Sequence, residues 1–225
     1  MIDSGFDWAP IWLTLKLASL TSLILCVLGI PLAGWLTHTT ARYRSVIETL
    51  VALPLVLPPS VLGFYLLLAF APTGIIGYPL WTWFELSLVF SFAGLVVGSV
   101  LFSLPFMVQP LVAALLNLPP QWREASYTLG HSPFSTFWRI ELPCVWPALL
   151  SGLVMSFAHT VGEFGLVMML GGNVPEISRV ASIAIYHEVE MLNYPAAHRY
   201  AALLCGFSFI VLLAVHWMRR RGLRR

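Results

Sequence analysis

A chain of 225 residues that is 59% hydrophobic and only 10% charged, with a formal net charge of +2 and a mean hydropathy of +0.85, is excluded from the water-soluble globules. Soluble domains carry about 25% charged residues; here there are too few to clothe a core, so lipid must cover it. Cys26, Cys144 and Cys205 are odd in number and lie at no metal or disulfide spacing, which excludes a disulfide framework and a cysteine-built metal site.

Crossing a bilayer as a helix takes about 20 mostly apolar residues. Five stretches predict such spans, at 17–36, 50–70, 86–108, 146–170 and 198–217. The first follows Asp3 and Asp7 rather than a basic cluster, and its apolar run is too long for a signal peptide, so it predicts an uncleaved span. The second holds Pro54, Pro58, Pro59 and Gly63. Proline removes backbone hydrogen bonds, and in lipid the freed carbonyls need partners or a water-lined cavity. Such a broken helix lines a transport pathway or is kinked for packing. Turn and breaker residues punctuate the connections: Pro72-Thr73-Gly74, Pro119-Pro120, and Gly171-Gly172-Asn173 with Pro175. With no internal repeat or low-complexity tract, residues 1–225 read as a single transmembrane domain.

The segment between spans three and four, about 109–145, is patterned. Pro119-Pro120 opens a short helix on which Trp122, Ala125, Ser126 and Leu129 share one face. Gly130 stands just past its end, where a left-handed backbone is needed. Ser132-Pro133 caps and begins a second short helix with Phe134, Phe137 and Trp138 on its apolar face, and Pro143 is expected to end it. Two such helices make either a compact knob or a pair lying along the membrane surface.

The fourth span carries His159 and Glu163, four residues apart and so on one helix face. An ionised group at mid-membrane costs roughly 2.5–3.5 kcal/mol on insertion scales, so such residues face a cavity or a partner. A metal site is not expected, since no third ligand lies near. Ser156 and His159 are three apart, as a serine-protease dyad would be, but there is no Gly-x-Ser-x-Gly motif. Basic residues set the orientation. Arg42, Arg44, Arg123, Arg139, Arg219, Arg220, Arg221, Arg224 and Arg225 fall on one side of a five-span chain, leaving Lys16, Arg179 and Arg199 near the other. Positive residues mark the cytoplasmic side, so the N-terminus is expected outside and the C-terminus inside. A basic tail directly after an apolar span is a topology anchor, and no nucleic-acid partner is expected.

The run Glu124-Ala125-Ser126, three residues, Gly130, nine residues, Ile140-Glu141-Leu142-Pro143 resembles the signature loop of binding-protein-dependent ABC permeases. That pattern is Glu-Ala-Ala, three residues, Gly, nine residues, Ile, one residue, Leu-Pro; only Ser126 departs from it. The resemblance implies an all-α integral membrane protein of the type I ABC importer permease kind, with about five transmembrane helices. In that family the loop is a coupling helix, so Glu124, Ala125, Ser126, Gly130, Ile140, Leu142 and Pro143 are its expected contacts with an ATPase subunit. Small residues at 125 and 126 would allow close approach. The chain's only lysine is Lys16, so it has no phosphate-binding loop of its own.

Further stretches are similar to the anion-carrying members. Pro54, Pro58, Pro59 and Ser60 resemble the matching part of span two, and Val161 to Gly165 through Gly171-Gly172-Asn173 the matching region in molybdate and sulfate permeases. Arg179 to Glu190, with Ser182 to Tyr186 inside it, resembles the outer segment of the molybdate type. With no lysine or arginine well inside spans two to five, hydroxyls such as Ser60, Ser156 and Thr160 or helix N-termini would hold an oxyanion weakly. His159 and Glu163 join the pathway or gate candidates. The implied partners are an ATPase in two copies, an extracytoplasmic oxyanion-binding protein, a second copy of the chain and the bacterial inner membrane; no cofactor is implied. Molybdate or tungstate is the expected cargo, with sulfate or another oxyanion as the alternative. A stand-alone secondary transporter or an intramembrane enzyme would leave the loop unexplained.

Overall fold

The computed structural model describes residues 6–222. In chain order the helices are α1 (Ala9–His38), α2 (Arg44–Ala52) with a 3-10 turn (Leu53–Leu55), α3 (Pro59–Phe70), α4 (Gly77–Phe84), α5 (Phe92–Leu116) and α6 (Pro120–Thr128). After them come α7 (Pro133–Thr136), a π turn (Phe137–Glu141), α8 (Leu142–Cys144), α9 (Trp146–Gly162), α10 (Gly165–Gly171), α11 (Ala181–Glu190) and α12 (Tyr194–Gly222). There is no strand among the described residues. Lipid offers no hydrogen bonds, and a helix pairs its backbone groups locally.

By length and composition, α1, α5 and the Tyr194–Leu213 part of α12 are each able to cross a membrane, and two bent pairs bring the number to five if each pair is one span. Arg44–Leu55 meets α3 at 112°, and Pro133–Cys144 meets α9 at 75°. The predicted span 50–70 is therefore not one helix. Pro54 sits in the 3-10 turn, Pro58 is extended (ψ 135°), and Pro59 restarts a helix from its first position, where its missing N–H costs nothing. The span predicted at 86–108 lies further along the chain. Ser91 caps α5 by accepting from Gly94 N at 3.1 Å, and the helix runs through Pro105 and Pro110 to Leu116. α1 is longer at both ends than the predicted 17–36. The run 146–170 breaks at Glu163, whose extended backbone (ψ 130°) closes α9.

α1, α5 and α9 pack together as the scaffold. Leu25, Ala33, Leu36, Met107, Leu111 and Leu149 form one buried cluster among them. A second cluster, with Leu17, Leu95, Phe102, Leu166 and Ile183, adds α10 and α11. The start of α1 is tied to both C-terminal helices: Ala181 N donates to Thr14 Oγ1 at 2.8 Å, and Tyr200 Oη donates to the Asp7 carbonyl at 2.8 Å. Lys16, Arg179 and Arg199 belong to this end. At the other end the loop after α1 carries Arg42, and the contact of His38 with Glu141 at 3.0 Å brings in the segment bearing Arg123 and Arg139. Arg224 and Arg225 of the predicted basic tail, like Asp3, lie outside the described residues. Only 11% of the membrane-length window of α12 is covered by the rest of the chain, against 50% for α1 and 56% for α5.

Candidate functional site

Two places collect the residues singled out in the sequence. The first is the knob after α5. Pro120 opens α6, and the helix closes in a full Schellman turn: His131 N donates to Ser126 O at 3.1 Å and Gly130 N to Tyr127 O at 2.9 Å. Gly130 has φ +81°, the left-handed conformation expected of it, and a side chain added there would meet nothing within 4 Å. Ser132 Oγ accepts from Ser135 N at 3.2 Å and caps α7, as its sequence position predicts.

Two features of the knob differ from expectation. Pro143 does not end the second helix. The π turn widens the backbone just before it, Pro143 lies in the first turn of α8, and the helical run continues to Cys144 before the bend into α9. Ser126 is not open for close approach. It is buried, and its hydroxyl shares a 2.8 Å hydrogen bond with Thr136 Oγ1, pinning α6 to α7. Trp122, Glu124 and Ala125 remain exposed on α6, as do Gln121, Tyr127 and Thr128 beside them, and Leu129 just past its end is 78% exposed. That apolar strip with one carboxylate is a surface that a partner protein would cover. Of the other motif residues, Ile140 is half-buried, while Leu142 and Pro143 lie in α8 at the foot of α9.

Sequence reasoning missed the charges beneath this surface. Glu141 is 3% exposed; its Oε1 accepts from Arg123 Nε at 2.6 Å and its Oε2 lies 3.0 Å from His38 Nε2. From sequence Arg123 marks only topology, and a contact across 18 residues has no periodicity to reveal it. The sole available signal was the pairing of an Arg and a Glu within one short loop.

The second place is where the two broken segments meet. α10 packs across α3. A Cβ on Gly165 would lie 3.0 Å from Pro59 Cβ and 3.3 Å from Ser60 N, and one on Gly63 would lie 2.9 Å from Met169 Cβ. Glu163 is buried at the break, and its Oε1 accepts from Leu166 N at 2.9 Å, capping α10. Its carbonyl accepts from Ser182 Oγ at 2.7 Å. Because α9 ends at Gly162, Glu163 and His159 do not share a helix face, contrary to expectation. His159 instead turns to α5, with Nδ1 3.0 Å from Ser103 Oγ and its ring against Phe102 and Phe106.

Ser103 Oγ also lies 3.1 Å from Thr160 Oγ1, which donates to Ser156 O at 2.9 Å. The buried Ser156 hydroxyl has no hydrogen-bond partner among the described residues. The Ser156–His159 dyad of the enzyme alternative is therefore not formed. Among the described residues no group of three or more His, Cys, Asp or Glu is placed to hold a metal. Pro59 and Ser60 thus lie against Gly165, two residues from Glu163, with Pro58 just before α3 and Pro54 in the 3-10 turn, while Ser156, His159 and Thr160 form a separate hydroxyl-lined contact between α9 and α5.

The chain matches, over residues 26–221, the family described as "Binding-protein-dependent transport system inner membrane component". It is 47% identical over 218 residues to the Molybdenum transport system permease protein ModB of Azotobacter vinelandii, covering 96% of each chain. It is 33% identical to the protein of the same name from Escherichia coli (strain K12), covering 98% of this chain and 96% of that one. Identity to the Sulfate transport system permease protein CysT of Salmonella typhimurium is 30%, over 99% of this chain and 84% of that one. Among solved structures, the fold is similar to a chain of a bacterial alginate ABC transporter in complex with alginate pentasaccharide-bound periplasmic protein (TM-score 0.78, 21% identity, 97% and 80% covered). It is also similar to a chain of the inward-facing MetNI methionine ABC transporter (TM-score 0.74, 19% identity, 94% of each).

Proposed function

This chain belongs to the binding-protein-dependent transport system inner membrane components, and from that premise we propose that it is the membrane-spanning subunit of an ATP-driven importer carrying molybdate, or the closely similar tungstate, from a binding protein into the cell. The observation that carries the substrate is the 47% identity with the Azotobacter vinelandii permease along nearly the whole of both chains, against 30% with the sulfate permease. It is a transport subunit and not an enzyme: with Lys16 as its single lysine it has no phosphate-binding loop, so a separate subunit hydrolyses ATP. The exposed strip Trp122, Glu124, Ala125 and Leu129 on α6 is the proposed seat of that ATPase.

The remaining parts follow from the same reading. Each bent pair counts as one span, so five spans put residues 1–10 outside and residues 219–225 in the cytoplasm, in keeping with the arginines at one end. The exposed apolar side of α3 (Val61, Phe64, Tyr65 and Leu68) is the proposed face toward a second copy, with a two-fold axis between the copies. Two copies then present two coupling knobs to two ATPase subunits. The junction of Pro59, Ser60 and Glu163 lies beside that face and is the proposed wall and gate of the pathway. Reporter fusions at the two ends are expected on opposite sides of the membrane; both on one side would end the five-span arrangement.

For the cargo, a strain lacking the gene is expected to lose molybdenum-dependent enzyme activity at trace molybdate and to regain it with excess external molybdate. Normal molybdate uptake together with impaired sulfate uptake would move the substrate to sulfate.

A further inference from the structure

The Arg123–Glu141–His38 cluster is the one buried ionic site among the described residues, and it joins three elements: α6, the π turn and the cytoplasmic end of α1. Glu141 is the unspecified position of the loop motif. Its burial is complete within the single chain, so no partner subunit is needed to cover it. An unpaired carboxylate at that depth would be strongly disfavoured, and the two bases that hold it come from segments far apart in sequence.

His38 Nδ1 lies 2.7 Å from the Gly34 carbonyl of its own helix and Nε2 3.0 Å from Glu141 Oε2, while Arg123 Nε donates to Oε1 at 2.6 Å, so each oxygen of the buried carboxylate faces a side chain from a different element.

Resting on the reading of α6 as the coupling helix, we propose that Glu141 is its positioning residue, locking α6 through Arg123 to α1 through His38, so that the stroke of the ATPase reaches α1. α1 packs along α5 and α9, so a displacement of α6 held by this clamp is carried into the scaffold instead of being lost in the hinge at Gly130. Glu141 and Arg123 are the charged groups around His38. Trp35, Pro133, Phe134, Phe137 and Trp138, which line the groove beside its ring, carry no charge, while Glu124 and Tyr127 line the cleft on the far side of Arg123.

The test uses the whole complex, with ATPase and binding protein, in vesicles, reading molybdate imported per ATP hydrolysed. Glu141→Gln is expected to lower this ratio about five-fold or more. His38→Gln, at a side chain 27% exposed and able to keep one hydrogen bond, is expected to lower it less. A wild-type ratio in His38→Gln would overturn the proposal, even where Glu141→Gln fails to assemble. Gly130→Val, measured alongside, separates the two claims: if it uncouples while both clamp variants behave as wild type, the coupling helix stands and the clamp falls. If it too is normal, the reading of α6 itself has failed.

Discussion

Gly130→Val is expected to leave a folded, membrane-inserted chain that imports at a small fraction of the wild-type rate. At φ +81° the cost is conformational, not spatial, because nothing lies within 4 Å of the added Cβ. A left-handed residue with a side chain pays about 1–2 kcal/mol, and β-branching sets valine among the residues least suited to that region. The turn relieves the strain by giving up the His131–Ser126 and Gly130–Tyr127 hydrogen bonds, which swings α7 away from α6. A penalty of one to two kcal/mol lowers the population of the competent knob by a factor of roughly 5–30. Co-purification with the ATPase and substrate-stimulated hydrolysis should fall together while the binding protein still binds its anion. Gly130→Asn, which tolerates the left-handed region, should retain most activity. Equal import by the valine and asparagine variants would show that the backbone conformation at 130 does not matter to coupling.

Gly63→Leu is expected to abolish import and to destabilise the chain itself. α3 and α10 approach so closely that even a methyl group on residue 63 would sit 2.9 Å from Met169 Cβ and 3.1 Å from Leu166 Cα, the latter a backbone atom that cannot turn aside. Overpacking of this kind costs typically about 1–3 kcal/mol, occasionally more. Here the displacement would also part Gly165 from Pro59 and Ser60, opening the junction at which Glu163 caps α10. Thermal unfolding in detergent should shift down, and Gly63→Ala should fall between wild type and leucine. Gly206→Leu is the matched control: the site is exposed on α12 with nothing within 4 Å, and leucine is the better helix former. A leucine at 63 with wild-type stability and transport would mean that α3 and α10 do not cross in the working protein.

What was legible in the sequence was whatever depends on local chemistry. Gly130, Ser132 and the prolines that open α6 and α7 act through backbone geometry that a few neighbouring residues dictate, and each behaves as its position predicts. Apolar runs likewise announced the three helices long and apolar enough to cross a membrane and the two bent pairs. The breaks inside two of them were only half readable. Pro58-Pro59 signalled a kink but not a 112° turn, because the angle is set by what α3 packs against. The break at Gly162–Glu163 carried no proline at all. There the helix gives way to a local cap, Glu163 accepting from Leu166 N, and to a tertiary bond from Ser182 Oγ to the Glu163 carbonyl, which no periodicity announces. Pro143 misled for the opposite reason: a π turn upstream lets the chain continue through a residue that ordinarily stops it. The inward turn of Ser126 and the clamp on Glu141 were hidden in the same way, since both depend on contacts between elements.

The sparse cover over α12 bears on how this chain records its own history. Leu17, Met107 and Leu166 are enclosed on every side, so a change there must preserve volume as well as polarity. Phe209, Ile210 and Leu213 on α12 stand open to their surroundings, and exchanging one large apolar side chain for another alters little but the medium it touches. Drift along α12 is therefore constrained by hydropathy and scarcely by shape. Over long divergence its letters should scramble while its average stays fixed, and the scaffold helices α1, α5 and α9 should retain the recognisable text.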